Sequence, residues 1–152
     1  MKLLASLVVL LAATMAQATP TVGDIADFSG TTDHAGQTYP VQITLQIMAF
    51  DATTQIYTQQ TTMAIGPKTQ TKTEQVAAAD MITDATIDAV LADCVGQGGT
   101  PETIAVPAGN FETCKIKTDG GDLYNIAKVP FGVAKMTSAT MNLSLVSFVN
   151  GK

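Results

Sequence analysis

The sequence predicts an α+β fold that is mainly β: a strongly curved antiparallel sheet (a half-barrel) of about seven strands packed on one helix. Apolar residues alternate with polar ones along most of the chain, which is the pattern of half-buried strands. One segment alone has the apolar spacing of a helix. The connections between the strand segments are short and rich in turn-forming residues, which favours antiparallel pairing.

The clearest alternation lies in residues 41–49, where apolar positions such as Val41 and Ile43 are separated by polar ones. Residues 55–65 follow a turn segment and predict the second strand of a hairpin. Residues 68–77 alternate threonines with lysines and glutamines, so neither face is apolar. This segment predicts an edge or protruding strand whose lysines discourage pairing with another sheet edge.

The two ends of the domain carry the remaining strand predictions. Residues 19–38 are polar and predict a ragged lead-in with one short strand near residues 25–28. A Pro-Ala-Gly-Asn loop at residues 107–110 predicts a hairpin. The strands expected in the C-terminal third are residues 102–106, 111–117, 123–129, 133–137 and 141–149.

A single amphipathic helix is predicted over residues 84–95. Its apolar positions follow i, i+3, i+4, i+7, i+8 spacing: Ile87, Val90, Leu91, Cys94 and Val95. Thr83 or Asp84 can cap its start and Gly96 can end it. Because it is the only amphipathic cover available, we expect it to lie across the concave side of the sheet.

The first 18 residues have the pattern of a secretory signal peptide. A basic start, an apolar run from Leu3 to Ala13 and an Ala-Gln-Ala site predict cleavage after Ala18. The apolar run is too short to span a bilayer, so we expect no membrane span in the mature form. The prediction is a periplasmic or secreted protein with a single β-rich domain over residues 19–152.

The charge balance excludes one class of partner. The chain has eight lysines, no arginine and 13 acidic residues, for a net charge of −5. Nucleic-acid binding needs clustered cations, so no nucleic-acid partner is expected. The sequence indicates no cofactor.

Both cysteines, Cys94 and Cys114, lie after the predicted cleavage site. Two cysteines in an oxidising compartment predict one disulfide, which would join the end of the helix to the strand at residues 111–117. A reactive thiol pair is the alternative, but no Cys-x-x-Cys motif and no nearby histidine or cation favours it.

The C-terminal half resembles a group of small exported bacterial proteins. The resemblance is carried by VPAGNFETCK at residues 106–115, VPFGVAKM at residues 129–136 and the closing strand at residues 143–148. Related domains resemble the LolA/LolB-like half-barrels of periplasmic lipoprotein carriers, in which a sheet wraps around an apolar cavity. The resemblance implies that fold and, by analogy, binding of a lipid or lipoprotein-like ligand.

Catalytic and metal sites have few candidate residues. His34, the only histidine, could act as a general base beside Asp33, with Ser29 or Ser138 as nucleophile, in a small hydrolase. No Gly-x-Ser-x-Gly motif supports that reading, and we expect no enzyme activity. Acidic residues that could form a cation site recur in two places: Asp80, Asp84 and Asp88 at helical spacing, and Asp24 with Asp27. Calcium needs about six to eight oxygen ligands from a loop that folds around it, so we expect no metal site.

The functional expectation is a non-enzymatic exported protein that binds an apolar small molecule or a protein of the cell envelope. Methionine is a flexible residue that also lines adaptable binding surfaces. The residues expected to line an apolar pocket are Met48, Tyr57, Met63, Leu91, Met136, Met141 and Leu143. The alternative is a structural or interaction module with a solid core, whose threonine-rich edge at residues 69–73 would pair with a partner strand.

Overall fold

The computed structural model describes residues 20–152 and contains one antiparallel sheet of nine strands. The strands are β1 (Ile25–His34), β2 (Gln37–Asp51), β3 (Ile56–Ile65), β4 (Lys68–Ala77), β5 (Thr100–Val106), β6 (Gly109–Lys117), β7 (Leu123–Ile126), β8 (Val133–Thr137) and β9 (Met141–Val149). Their order in the sheet is β4-β3-β2-β1-β9-β8-β7-β6-β5. The helix α1 (Asp84–Ala92) connects the two edge strands, β4 and β5.

The predicted fold class is wrong. The described residues form a mostly β structure, with 59% in strands, and the open sheet has nine strands rather than seven. The largest difference lies in β1, whose residues are largely polar. Residues 25–34 were expected to be mainly lead-in, yet they form a full strand hydrogen-bonded between β2 and β9. Pairing through the backbone on both sides supports a strand without a continuous apolar face.

Strand β2 contains a bulge that interrupts its alternation. Its register with β3 shifts between Ile47 and Ala49, so Met48 is the extra residue. Ile47 is fully buried, whereas Met48 is 44% exposed. The period-two pattern of residues 41–49 therefore predicts the strand correctly but not the orientation of its last residues.

The main hydrophobic core is built by the sheet and its connections. Its buried residues are Ala26, Phe28, Val41, Ala127, Val129, Ala134, Leu143 and Leu145. The turn of the β5–β6 hairpin folds back onto β9, where the Ala108 N–H donates a hydrogen bond of 3.2 Å to the Leu145 carbonyl. Phe111 of this hairpin lies 6.3 Å from Phe148, measured between ring centroids. The sheet thus covers part of its own apolar face.

The helix does not cover this core, contrary to the sequence expectation. Its main contacts in the described chain are with β6 and β7, and none of its side chains belongs to the core cluster. The Thr83 hydroxyl caps it by accepting a hydrogen bond of 3.1 Å from the Thr86 N–H. The helix ends at Ala92, three residues earlier than predicted, because Asp93 turns the chain and its carboxylate accepts from the Gly96 N–H.

A tight turn between β7 and β8 supports the helix. Phe131 and Gly132 both have positive φ values, 62° and 72°. A Cβ atom at Gly132 would lie 2.9 Å from the Cδ1 of Ile82 and 3.1 Å from the Cδ1 of Ile87. Glycine is therefore required at residue 132 both for backbone conformation and for close approach of the helix.

The disulfide is confirmed. Cys94 and Cys114 are bonded with an S–S distance of 2.02 Å and a Cα–Cα distance of 5.5 Å. Both residues are buried. The bond joins the turn that follows α1 to β6, as expected.

Two features of the described residues concern membranes and compartment. Within residues 20–152 no helix is long and apolar enough to cross a lipid bilayer. The disulfide is consistent with an extracytoplasmic protein. The predicted signal peptide, residues 1–18, lies outside the described residues.

Candidate ligand-binding cleft

An open cleft of about 720 Å³ lies at one end of the sheet. It lies where the β1–β2 hairpin, the β3–β4 hairpin and the β8–β9 turn meet. Its lining residues are Thr32, Asp33, His34, Tyr39, Met63, Ile65, Pro67, Lys68, Gln70 and Thr140.

Two tight hairpins bring these side chains together. His34 pairs with Gln37 across a two-residue turn whose residues, Ala35 and Gly36, both have positive φ. Ile65 pairs with Lys68 across the second turn. Side chains two residues apart lie on the same face of a strand. The pairing of Met63 with Gln70 and of Ile65 with Lys68 therefore places these four side chains on one face of the sheet.

The floor of the cleft is apolar and its edge is polar. Tyr39, Met63 and Ile65 provide apolar surface from β2 and β3, and each is half-buried. The apolar area is continuous with the core, against which Met63 and Ile65 also pack. The arrangement suits a ligand with an apolar body and a polar end.

Of the charged side chains at the edge of the cleft, Asp33 has a hydrogen-bond partner and Lys68 has no ion-pair partner among residues 20–152. The Asp33 carboxylate accepts a hydrogen bond from the Thr38 hydroxyl. The three ion pairs found within residues 20–152 are Lys72–Glu74, Lys115–Glu102 and Lys128–Asp88. Lys68 belongs to none of them and is exposed at the edge of the cleft. Its ammonium is therefore available to an anionic group.

The seven residues predicted to line an apolar pocket lie in several different places. Met63 lines the cleft. Met136 and Met141 pack against the core, and Leu143 is buried within it. The other three are dispersed: Tyr57 is buried and stacks on Phe50, Met48 is exposed at the β2 bulge, and Leu91 lines a small pocket beside the disulfide.

The residues of the hydrolase alternative are not assembled into a catalytic triad. Ser29 and His34 lie in the same strand, about 16 Å apart at 3.3 Å per residue. Ser138 is engaged in its own turn, where its hydroxyl accepts from the Met141 N–H at 3.0 Å. Within residues 20–152 no hydrogen bond joins His34 to either serine. The triad needs such contacts between base and nucleophile.

Three of the five acidic residues considered for a metal site, Asp24, Asp27 and Asp88, have other partners. Asp88 accepts two hydrogen bonds from Lys128, which raises the pKa of the Lys128 ammonium. Asp27 accepts from the Thr44 and Ser147 hydroxyls, and Asp24 from the Gly151 N–H. The described part of the chain contains no group of three or more metal-binding side chains.

A polar cluster across β5, β6 and β7 was not predicted. The Asn125 amide donates to Glu102 Oε1 at 2.7 Å and to Thr113 Oγ1 at 3.0 Å, and Lys115 Nζ donates to Glu102 Oε2 at 2.7 Å. These bonds from Lys115 and Asn125 lower the pKa of Glu102. Asn125 and Thr113 are buried with their hydrogen bonds satisfied, so the cluster fixes the strands together.

The cleft residues Tyr39, Ile65, Lys68 and Gln70 were not predicted as a site either. Alternation identifies which side chains share a face within a strand, but not which hairpin ends meet. The two-residue Gly-Pro turn at residues 66–67 was the available signal, since it places Ile65 beside Lys68.

Comparison with known proteins adds no family. No protein-family model and no curated protein sequence matches the chain. The resemblance to exported half-barrel proteins stays a prediction, and the proposed function depends on the geometry of the cleft.

Proposed function

We propose that this protein is a non-enzymatic, exported binding protein that holds an amphipathic ligand in the cleft between the β1–β2 and β3–β4 hairpins. The ligand's hydrocarbon chain lies on Tyr39, Met63 and Ile65. Its anionic end lies at the edge, beside Lys68. A medium-chain or long-chain carboxylic acid is the simplest molecule with this chemistry.

The size and polarity of the cleft are the main support. Small-molecule sites have volumes of about 300–1,000 Å³ and are lined mainly by apolar side chains with a few placed polar groups. The cleft, at about 720 Å³, lies within that range. Methionine at residue 63 supports adaptable packing, because its unbranched side chain can follow ligands of different shape.

The position of Lys68 supports an anionic end group. Its ammonium has no ion-pair partner among residues 20–152, whereas the Asp33 carboxylate beside the cleft is hydrogen-bonded to Thr38. A carboxylate placed near Lys68 gains a charge-assisted hydrogen bond. A neutral ligand of the same length gains only apolar contact, so it binds more weakly.

Export by the leader at residues 1–18 is part of the same proposal. The disulfide supports a protein that works outside the cytoplasm. The intact mass of the protein purified from its host tests this directly. A mass equal to that of residues 19–152 agrees with cleavage after Ala18. The mass of residues 1–152, found in the cytoplasmic fraction, would contradict export.

The binding proposal is tested with a dansyl-labelled undecanoic acid as a fluorescent probe. We expect enhanced, blue-shifted fluorescence on addition to the mature protein, and displacement of the probe by unlabelled dodecanoic acid. Met63→Asp places a charge on the apolar floor and should weaken binding at least ten-fold. Met48→Asp is the matched control, because Met48 is exposed at the distant β2 bulge.

A second comparison addresses the end group. Lys68→Gln should weaken dodecanoate but leave the weaker binding of dodecanol unchanged. Equal loss for Met63→Asp and Met48→Asp, or no probe binding by the folded wild-type protein, would overturn the proposal. Circular dichroism spectra that match the wild-type spectrum establish that each variant is folded.

A further inference from the structure

Strand β4 forms one edge of the sheet and has a free outer side. All ten of its residues pair with β3 in continuous register, with no bulge and no proline. No other strand in the described part of the chain pairs with it. The opposite edge, β5, has seven residues and contains Pro101, which lacks a backbone donor. Strand β4 is therefore the better template for adding a further strand.

The side chains of β4 favour pairing in one respect and oppose it in another. Thr69, Thr71 and Thr73 are exposed and β-branched, which suits a paired strand. Lys68 and Lys72 are charges of the kind that keep sheet edges apart. Whether β4 can pair with another strand thus depends on what would lie opposite these lysines.

We infer that β4 pairs in antiparallel orientation with β4 of a second copy of this chain, around a two-fold axis at Thr71. In this register Lys68 of each copy lies opposite Glu74 of the other, and Thr69 lies opposite Thr73. The same two contacts occur on both sides of the axis, as a symmetric interface requires. Opposite charges and threonine pairs in cross-strand positions stabilise antiparallel strands.

Charge selects this register from its neighbours. A two-fold axis at Gln70 would place Lys68 of one copy opposite Lys72 of the other. A two-fold axis at Lys72 would place the Lys72 side chains of the two copies opposite each other. Like charges directly opposite each other destabilise a strand pair. An axis at Thr73 avoids these clashes and places Lys72 opposite Glu74, but these two residues already form an ion pair within the strand. It also leaves Lys68 opposite Ala78, beyond the end of the strand, whereas the axis at Thr71 gives Lys68 an acidic partner.

The dimer would place two clefts beside one interface, since Lys68 and Gln70 line the cleft from β4. The inference does not depend on the proposed ligand. Dimerisation and probe binding are measured separately, so the failure of one leaves the other to be judged on its own result.

The test is sedimentation velocity of the mature protein over a concentration series, without ligand. We expect a reversible monomer–dimer equilibrium. Lys68→Glu should weaken the dimer about ten-fold or more, because it places two glutamates opposite each other at both ends. The charge swap Lys68→Glu with Glu74→Lys should restore the dimer. Lys117→Glu is the control for net charge, because Lys117 is exposed on β6.

A cross-linking experiment tests the edge independently. Thr71→Cys should form a disulfide-linked dimer under mild oxidation, whereas Thr103→Cys on the β5 edge should not. A wild-type protein that stays monomeric at every concentration would overturn the inference. So would a charge swap that fails to restore the dimer, or equal cross-linking at both edges.

Discussion

The backbone of Gly99 lies directly against Cys114. A Cβ atom added at residue 99 would be 2.4 Å from the Cys114 sulfur and 2.9 Å from the Cys94 sulfur. Gly99, which immediately precedes β5, is thus packed onto the disulfide. Because it has no side chain, the chain can pass directly from the turn after α1 into the edge strand β5. The path of the chain between α1 and β5 therefore depends on close packing around the disulfide as well as on the disulfide itself.

Gly99→Ala is therefore expected to destabilise the protein. Overpacking of a closely packed site costs about 1–3 kcal/mol. The free energy of unfolding from urea titrations at pH 7 measures the effect. Gly120→Ala is the control, because a Cβ there would meet only Thr118 Oγ1 at an ordinary 3.7 Å. A loss of stability in the control equal to that of Gly99→Ala would contradict the packing argument.

Removal of the disulfide tests its contribution to stability. The bond joins residues separated by 20 positions, and a loop of that size predicts stabilisation of about 3 kcal/mol in the chain-entropy model. The double variant Cys94→Ala with Cys114→Ala should lose about 2–4 kcal/mol of unfolding free energy. Dithiothreitol should lower the melting temperature of the wild-type protein and leave that of the double variant unchanged. An unchanged wild-type melting temperature would show that the bond contributes little.

Gly132→Ala tests how the β7–β8 turn holds the helix. Alanine at this site must adopt a positive φ and also displace Ile82, for a combined cost of about 1–3 kcal/mol. Gly36→Ala separates the two effects, because Gly36 has a φ of 78° but nothing within 4 Å of a Cβ. We expect Gly132→Ala to cost more than Gly36→Ala in urea titrations. Equal losses would show that contact with the helix does not matter.

The Glu102 cluster should make stability depend on pH. Hydrogen bonds from Lys115 and Asn125 lower the pKa of the Glu102 carboxyl in the folded state. The stabilisation is therefore present above the unfolded pKa of about 4.3 and is lost as the pH falls through the folded value.

Glu102→Gln should lower the unfolding free energy by about 0.5–1 kcal/mol at pH 7, a small effect because the ion pair is partly exposed. The difference from the wild-type protein should shrink as the pH falls below the unfolded pKa of the Glu102 carboxyl. Glu112→Gln removes a charge from an exposed position on the neighbouring strand β6 and is the control for the loss of a charge. A difference for Glu102→Gln that is constant with pH would contradict the assignment.

The sequence was informative where an apolar pattern or a chemical rule acts locally. Alternation located β2, β3 and the C-terminal strands, and helical spacing placed the start of α1 at Asp84. The cysteine count predicted the Cys94–Cys114 bond. Each of these depends on neighbours in the chain or on a single pair of residues.

The full extent of β1 and the role of the helix could not be predicted in the same way. Strand β1 pairs with β9, and that contact joins Asp27 to Ser147, 120 positions apart. Periodicity contains no information about such distant partners. The expectation that α1 covers the core failed because the β5–β6 hairpin, through Ala108 and Phe111, folds onto β9 instead. The cleft depends on the same long-range arrangement.

The most direct test of the central claim, that the cleft binds an amphipathic carboxylate, is NMR of ¹³C-methyl methionine in the mature protein during titration with dodecanoic acid. Met63 lines the cleft, whereas Met48 lies nine residues beyond Tyr39 on β2, about 30 Å away along the strand. We predict a saturable shift of the Met63 methyl signal with the Met48 signal unmoved. A spectrum without a saturable shift at Met63, or one in which only Met48 responds, would contradict the claim.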